Sequence, residues 1–113
     1  MELKLKVLQA LQRQDGVSKN GNAWAIQPYV GETLDQYPKK VMFEIFGEDK
    51  IKQNLLFENE VVTISFDLES REFNGRWFTS VRAWKIEYDD PEGHKSLIES
   101  LTFNAGNDDS LGF

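Results

Sequence analysis

The clearest alternation of apolar and polar residues runs from Glu60 to Glu87. Val62, Ile64, Phe66 and Leu68 recur at every second position, with Thr63, Ser65, Asp67 and Glu69 between them. That period belongs to a strand with one buried face. On the return, Trp77, Thr79, Val81 and Ala83 share one parity, and Phe78, Ser80, Arg82 and Trp84 share the other. Phe73-Asn74-Gly75-Arg76 lies between the two arms. Asn-Gly is the preferred pair for a tight hairpin turn because both residues accept positive φ at low cost. The stretch therefore predicts one long β-hairpin.

Upstream, Leu3, Leu5 and Val7 alternate with Lys4 and Lys6, which predicts a first strand running to about Arg13. Gln14 to Asn22 is dense in turn formers and predicts a mobile loop. Trp24 to Thr33 reads as the second strand, with Pro28 marking an edge or a bulge and Gly31 a bend. Lys39 to Phe46 reads as the third, with Val41, Phe43 and Ile45 facing the core and Phe46 facing outward. Glu48 to Phe57 is the helix candidate, with acids in its first turn and an apolar stripe of Ile51, Leu55 and Leu56. Five strands with a short helix between the third and fourth is the order of an all-β OB-fold, a five-stranded Greek-key barrel. Its domain spans residues 1–87. Residues 88–103 follow as a partly ordered extension behind the breaker cluster Tyr88 to Gly93, and residues 104–113 as a disordered acidic tail.

Composition limits the function classes. The 113 residues favour one domain, and the chain has no cysteine, which excludes disulfides and thiolate metal sites and fits a reducing cytoplasm. No apolar run approaches the ~18 residues that span a bilayer, and no signal-peptide pattern stands at the start. The net charge of −6 is unevenly placed: residues 1–87 hold 12 of the 13 Lys and Arg and 13 of the 19 Asp and Glu, close to neutrality. The last 26 residues hold Lys95 and six acids. A nearly neutral body is compatible with one basic face and a separate acidic tail. An enzyme is not expected. His94 is the single histidine and sits among breakers, no serine or cysteine nucleophile has a base beside it, and Asp67 with Glu69 is a poor metal pair without histidine. No cofactor is implied.

The hairpin tip carries the suggestive chemistry. Arg71, Phe73, Arg76 and Trp77 put two guanidiniums and two aromatic rings within seven residues. Rings stack on bases, and guanidiniums pair with phosphates or lie over bases. The competing assignment for Phe73 and Trp77 is a cross-strand pair that stabilises the hairpin. For Trp24 and Trp84, as for most of the 8 Phe and 3 Trp, it is core packing.

At this point the chain resembles the bacterial single-stranded DNA-binding proteins. Phe46, in Ile45-Phe46-Gly47, and Phe73, near the hairpin tip, match positions where that family stacks bases. Arg71 and the Arg76-Trp77 pair resemble its flanking basic and aromatic residues. Asp108, Asp109, Leu111 and the final Phe113 resemble the acidic tip through which the family recruits replication and repair proteins. Gly112 stands where that tip usually has proline, the acidic run is only two aspartates, and the linker is short. The phrases GVSKNGNAW, YPKKV, ESREFNGRW and VRAWKIE are most similar to a small domain-of-unknown-function family of bacteria and their phages.

The resemblance implies binding of single-stranded DNA with little sequence preference, in replication, repair or recombination. Phe46 and Phe73 would be the stacking platforms, with Trp24, Trp77 and Trp84 as further candidates. Lys39, Lys40, Arg71, Arg76, Arg82 and Lys85 would track phosphates, and Lys4, Lys6 and Lys19 are weaker candidates. Family members commonly assemble into dimers or tetramers, so a homo-oligomer is implied. Two other readings stay open: RNA binding, which stacking platforms serve equally well, and an OB module that binds protein alone, since fold does not decide function.

Overall fold

The computed structural model describes residues 1–111, with side chains through Leu101. Six strands and two helices follow in order: β1 (Glu2–Ala10), β2 (Gln14–Val17), β3 (Ala23–Thr33), β4 (Lys40–Phe46), α1 (Glu48–Gln53), β5 (Val61–Phe73), β6 (Arg76–Tyr88) and α2 (Pro91–Leu111). Neighbours in the sheet run β1-β5-β6-β4-β3-β2, and a β1–β3 pairing closes five of the strands into a barrel. All pairings are antiparallel except β4 with β6, which run parallel at Glu44–Arg82 and Ile45–Ala83.

Alternate positions of each strand fill the barrel. Leu5, Val7, Ala25, Tyr29, Phe43, Ile45, Val62, Ile64 and Ala83 are buried, and Tyr29 stacks on Phe43 with ring centres 5.8 Å apart. Ile51 of α1 and Leu56 beyond it close one end. The helix is shorter than its apolar stripe predicts. The Asn54 side chain donates to the Lys50 carbonyl at its C-terminus, so Leu56 reaches the core from beyond the helix, and Leu55 stays half-buried outside the core cluster.

Two irregularities explain where simple alternation misleads. β3 pairs with β2 over Ala23–Ile26 and with β1 over Tyr29–Thr33. Pro28 sits at the exchange between these partners, where its missing N–H costs no ladder bond to β1. There the Gln27 side-chain amide donates instead to the Leu11 carbonyl at 2.7 Å. In the long hairpin, Ser65 pairs with Lys85 but Phe66 with Ala83, so Trp84 is an extra residue. Strict alternation would turn Ile86 outward. The bulge at Trp84 reverses the parity, and Ile86 and Tyr88 pack on the core.

The predicted mobile loop Gln14–Asn22 is partly a strand: β2 pairs residue by residue with the start of β3, setting Gly16 opposite Trp24. The predicted hairpin turn is present, with Asn74 at φ 53° and Gly75 at φ 79°, the two positive angles a tight turn of this kind needs. Beyond the barrel the hairpin runs free. β1 ends its pairing at Ser65, and β4 reaches β6 only at Arg82 and Ala83. Asp67–Phe73 and Arg76–Val81 therefore form a two-stranded arm of about 23 Å, at ~3.3 Å per residue.

α2 is anchored at its first turns. His94 Nδ1 lies 2.8 Å from Glu60 Oε2, and its ring stacks on Tyr88 with centres 3.6 Å apart. Glu60 Oε1 accepts from the Phe57 backbone N–H, and the Tyr88 hydroxyl donates to the Leu55 carbonyl. His94 thus fastens the start of α2 to the barrel. Residues 104–111, where the sequence predicts a disordered tail, continue the backbone of α2. The side chains of Asp108, Asp109 and Leu111, and all of Phe113, lie outside the described residues.

Candidate nucleic-acid interface

A groove of about 510 Å³ runs across the outer face of the barrel between the β2–β3 hairpin and the base of the β5–β6 arm. Trp24, Ile26 and Phe46 supply its apolar surface, Arg71 and Arg82 its cations, and Ser18 and Asn22 its polar rim. Strand register brings these together. Gly16 faces Trp24, Ile26 faces Phe46, and Glu44, two residues before Phe46, faces Arg82. A Cβ on Gly16 would lie 2.2 Å from Trp24 Cζ2, so only glycine lets the indole lie against β2.

The groove's charges are already partnered. Arg82 lies over the Phe46 ring, 5.2 Å from its centre. Its Nη1 is 3.5 Å from Glu69 and its Nη2 4.0 Å from Glu44, while Arg71 Nη2 is 3.2 Å from the same Glu69. The Arg82 Nε is buried with no partner among the described residues. Arg76, at the tip, makes no ion pair among them.

The arm has two faces, fixed by its register. Phe73–Arg76, Arg71–Phe78, Glu69–Ser80 and Asp67–Arg82 pair on the face continuous with the groove. Glu72–Trp77, Ser70–Thr79 and Leu68–Val81 pair on the other, which prolongs the barrel interior, and a 2.9 Å Ser70–Thr79 hydroxyl bond crosses it. Phe73 is 67% exposed, Phe78 51%, Trp77 69% and Phe46 44%. Phe73 and Trp77 therefore oppose Arg76 and Glu72 on different faces and do not form a cross-strand pair.

Phe46, Trp24, Arg71 and Arg82 converge on the groove, and Phe73 and Arg76 extend its face along the arm. Lys39 and Lys40 do not join them. They sit at the opposite end of β4, about 20 Å from Phe46 at ~3.3 Å per residue, so the expected stripe through Lys39, Arg71 and Arg76 is not continuous. Lys85 pairs with Glu87 at 3.2 Å. Trp84, exposed on its bulge, does not line the groove, and Trp77 occupies the other face of the arm. Two residues that sequence reasoning left out belong here. Ile26 lies beside Phe46, and Phe78 shares its parity with Arg76 and Arg82, a signal visible in the alternation itself.

A second cavity, of about 400 Å³, lies where α2 meets the barrel and is edged by Glu58, Glu60, Asp89 and Asp90, an acidic rim unsuited to phosphate. Burial, with the neighbouring Glu60 carboxylate second, pushes the Tyr88 hydroxyl well above its ordinary range, keeping it neutral as a donor. Among the described residues no group of three or more His, Cys, Asp or Glu is arranged to hold a metal ion, and no helix is long and apolar enough to cross a membrane.

The family model described as "Domain of unknown function (DUF3127)" matches residues 2–87. The chain belongs to this family. No curated protein matches it. Among solved structures, the chain is similar to the mitochondrial single-stranded DNA binding protein Rim1 of S. cerevisiae. That match has a TM-score of 0.59 at 14% identity, covering 79% of this chain and 92% of that one. It is also similar to the second OB-fold domain of replication protein A from Methanococcus maripaludis. There the TM-score is 0.58 at 10% identity, covering 79% and 82%. At such identities the likeness shows the fold: this DUF3127 domain is an OB-fold, with β2 added at its edge.

Proposed function

We propose that this DUF3127 protein binds single-stranded nucleic acid, DNA in the first instance, with little sequence preference. The observation that carries the reading is the groove, where Trp24, Phe46, Arg71 and Arg82 meet between two projecting hairpins. A strand laid across it stacks bases on the apolar floor, and its backbone continues toward Phe73, Phe78 and Arg76. Stacking contributes roughly 1–3 kcal/mol per base and tolerates every base, and one such fold occupies ~4–16 nucleotides. The fold neighbours support this reading, both being OB-folds of proteins named for single-stranded DNA binding or replication.

The C-terminal tip, Asp108, Asp109, Leu111 and Phe113, is the recruiting segment for replication or repair proteins. Carried on the same chain as the groove, its acids compete with DNA at high effective concentration. Removal of residues 104–113 then tightens binding, and unchanged or weaker binding refutes the competition.

The test is a tryptophan-fluorescence and anisotropy titration with oligo-dT, oligo-rU and a matched duplex at low and high salt. Salt-sensitive binding to the single strands with weak binding to duplex is the expected result. No binding to any of them overturns the reading. One observation favours a protein partner in that event: Leu68 and Trp77 are exposed together on the non-groove face of the arm.

A further inference from the structure

The geometry points to Arg82, rather than the Phe46 ring beneath it, as the surface that meets a base in the groove. This rests on the proposed binding of single strands and names the residue that reads the base. The guanidinium lies over the Phe46 ring, so it covers part of the platform the sequence assigns to that ring. It is held from three strands: its own β6, Glu44 of β4 on Nη2 at 4.0 Å and Glu69 of β5 on Nη1 at 3.5 Å. Glu44 is itself only 18% exposed and is well placed as a fixed anchor.

Donor geometry separates the two tasks an arginine can do. The N–H bonds of a guanidinium lie in its plane, and here both terminal nitrogens face carboxylates, while Nε is buried. A phosphate that approaches in that plane meets the carboxylates of Glu44 and Glu69. Cζ lies over the Phe46 ring and Arg82 lines the groove, so a base that stacks on the guanidinium forms a Phe46–Arg82–base sandwich. Phe46 then acts as the support of the platform, and Glu44 and Glu69 as its positioning residues. Lysine at this position keeps the charge and loses the plane, and that difference makes the assignment testable.

The experiment compares full-length protein binding to oligo-dT and to an abasic deoxyribose-phosphate oligomer of equal length. Their affinity ratio isolates the contribution of bases. Arg82→Lys is expected to lower that ratio by about fivefold or more, the equivalent of one lost stack of ~1–3 kcal/mol, with abasic binding changed less than twofold. Glu44→Gln leaves Arg82 in place and removes one of its holders. It is expected to lower the ratio while raising abasic affinity, because a negative charge beside Arg82 is gone. Thermal melts establish that each variant is folded, and Glu44→Gln decides the matter if Arg82→Lys is not. A ratio preserved in Arg82→Lys but lost in Phe46→Leu overturns the assignment in favour of the ring. So does an equal loss for both oligomers in Arg82→Lys, which marks a phosphate contact. A ratio unchanged in Glu44→Gln overturns the clamp. Wild-type protein that binds neither oligomer overturns the underlying function, a result distinct from all of these.

Discussion

Gly16→Ala separates the groove from the fold. The added methyl would lie 2.2 Å from Trp24 Cζ2, 2.5 Å from Cε2 and 2.8 Å from Nε1. Carbon atoms settle at roughly 3.5 Å, so the indole must move outward by over ~1 Å. The cost to the fold is small. β2 is a four-residue edge strand, and Gly16 is not part of the buried core. Alanine also restricts the unfolded chain, which stabilises by about 0.4–1 kcal/mol where the backbone is compatible. The melting temperature is therefore expected to stay within ~4 °C of wild type, since 1 kcal/mol shifts a domain of this size by roughly 4–8 °C. Binding is another matter. If Trp24 is a stacking surface, displacing it removes up to one base's worth, roughly 1–3 kcal/mol, or about 5- to 150-fold in Kd for oligo-dT. Fluorescence anisotropy on Gly16→Ala, Trp24→Ala and the double variant closes a cycle. Because both changes act on one ring, the double variant is expected to bind no worse than Trp24→Ala alone. Additive losses would show that Gly16 matters for a reason other than the indole. Unchanged affinity in Gly16→Ala beside a large loss in Trp24→Ala would show that the ring's seat on β2 is irrelevant.

Lys39→Ala with Lys40→Ala, at the far end of β4, is expected to leave oligo-dT affinity within twofold, whereas Arg76→Ala reduces the log–log salt slope by about 0.7, the value of one phosphate on a single strand. Titrations across salt concentrations check both. Replacing residues 69–80 with a two-residue turn, which keeps the Leu68–Val81 pair, is expected to leave the melting temperature nearly unchanged, because those residues pair with no other strand, and to weaken binding markedly. Tyr88 gives a pH prediction. Its hydroxyl is raised in the folded state, so the fold holds that proton more tightly than the unfolded chain, whose tyrosine titrates near ~10. The associated stability is complete below that pH and is lost as pH rises past it. Denaturant melts are expected to show an alkaline decline that Tyr88→Phe flattens, at a cost of about 1 kcal/mol at neutral pH for the lost bond to Leu55.

Period alone made the barrel legible. Val62 and Ile64, Phe43 and Ile45, and Leu5 and Val7 alternate with polar partners, and all six are buried. Asn74-Gly75 announced its turn because no other common pair takes both angles so readily. What the period could not show was where a strand stops having neighbours. Leu68 and Trp77 keep the parity of the core, yet they are exposed because β1 ends at Ser65 and β4 touches only Arg82 and Ala83. The Trp84 bulge was hidden for a related reason. One extra residue inverts every later side chain, and nothing in the local composition marks it. The cations separate through distance: Lys40 begins the strand that Phe46 ends, and Lys39 lies just before it. The tight seat of Trp24 on Gly16 needed the register of β2, which turn-rich composition had disguised as a loop.

These displacements change what kind of binder the geometry favours. Three arginines remain on the groove face, and Glu69 partners two of them, with Glu44 partnering one a second time. Pairs at the surface are worth little to the fold, with a median near 0–1 kcal/mol, so their grouping on one face bears on binding more than on stability. Carboxylates beside the cations weaken long-range attraction for any polyanion, duplex included. They leave intact the short-range attraction of a ring or a guanidinium face for an unpaired base, which a duplex keeps stacked inside itself. A groove built this way gives up affinity that any phosphate backbone would share and keeps the part that only a single strand can supply. Under the proposed function, an acidic protein with a nearly neutral barrel is expected to discriminate between strand forms better than a strongly basic one, because less of its binding energy comes from charge.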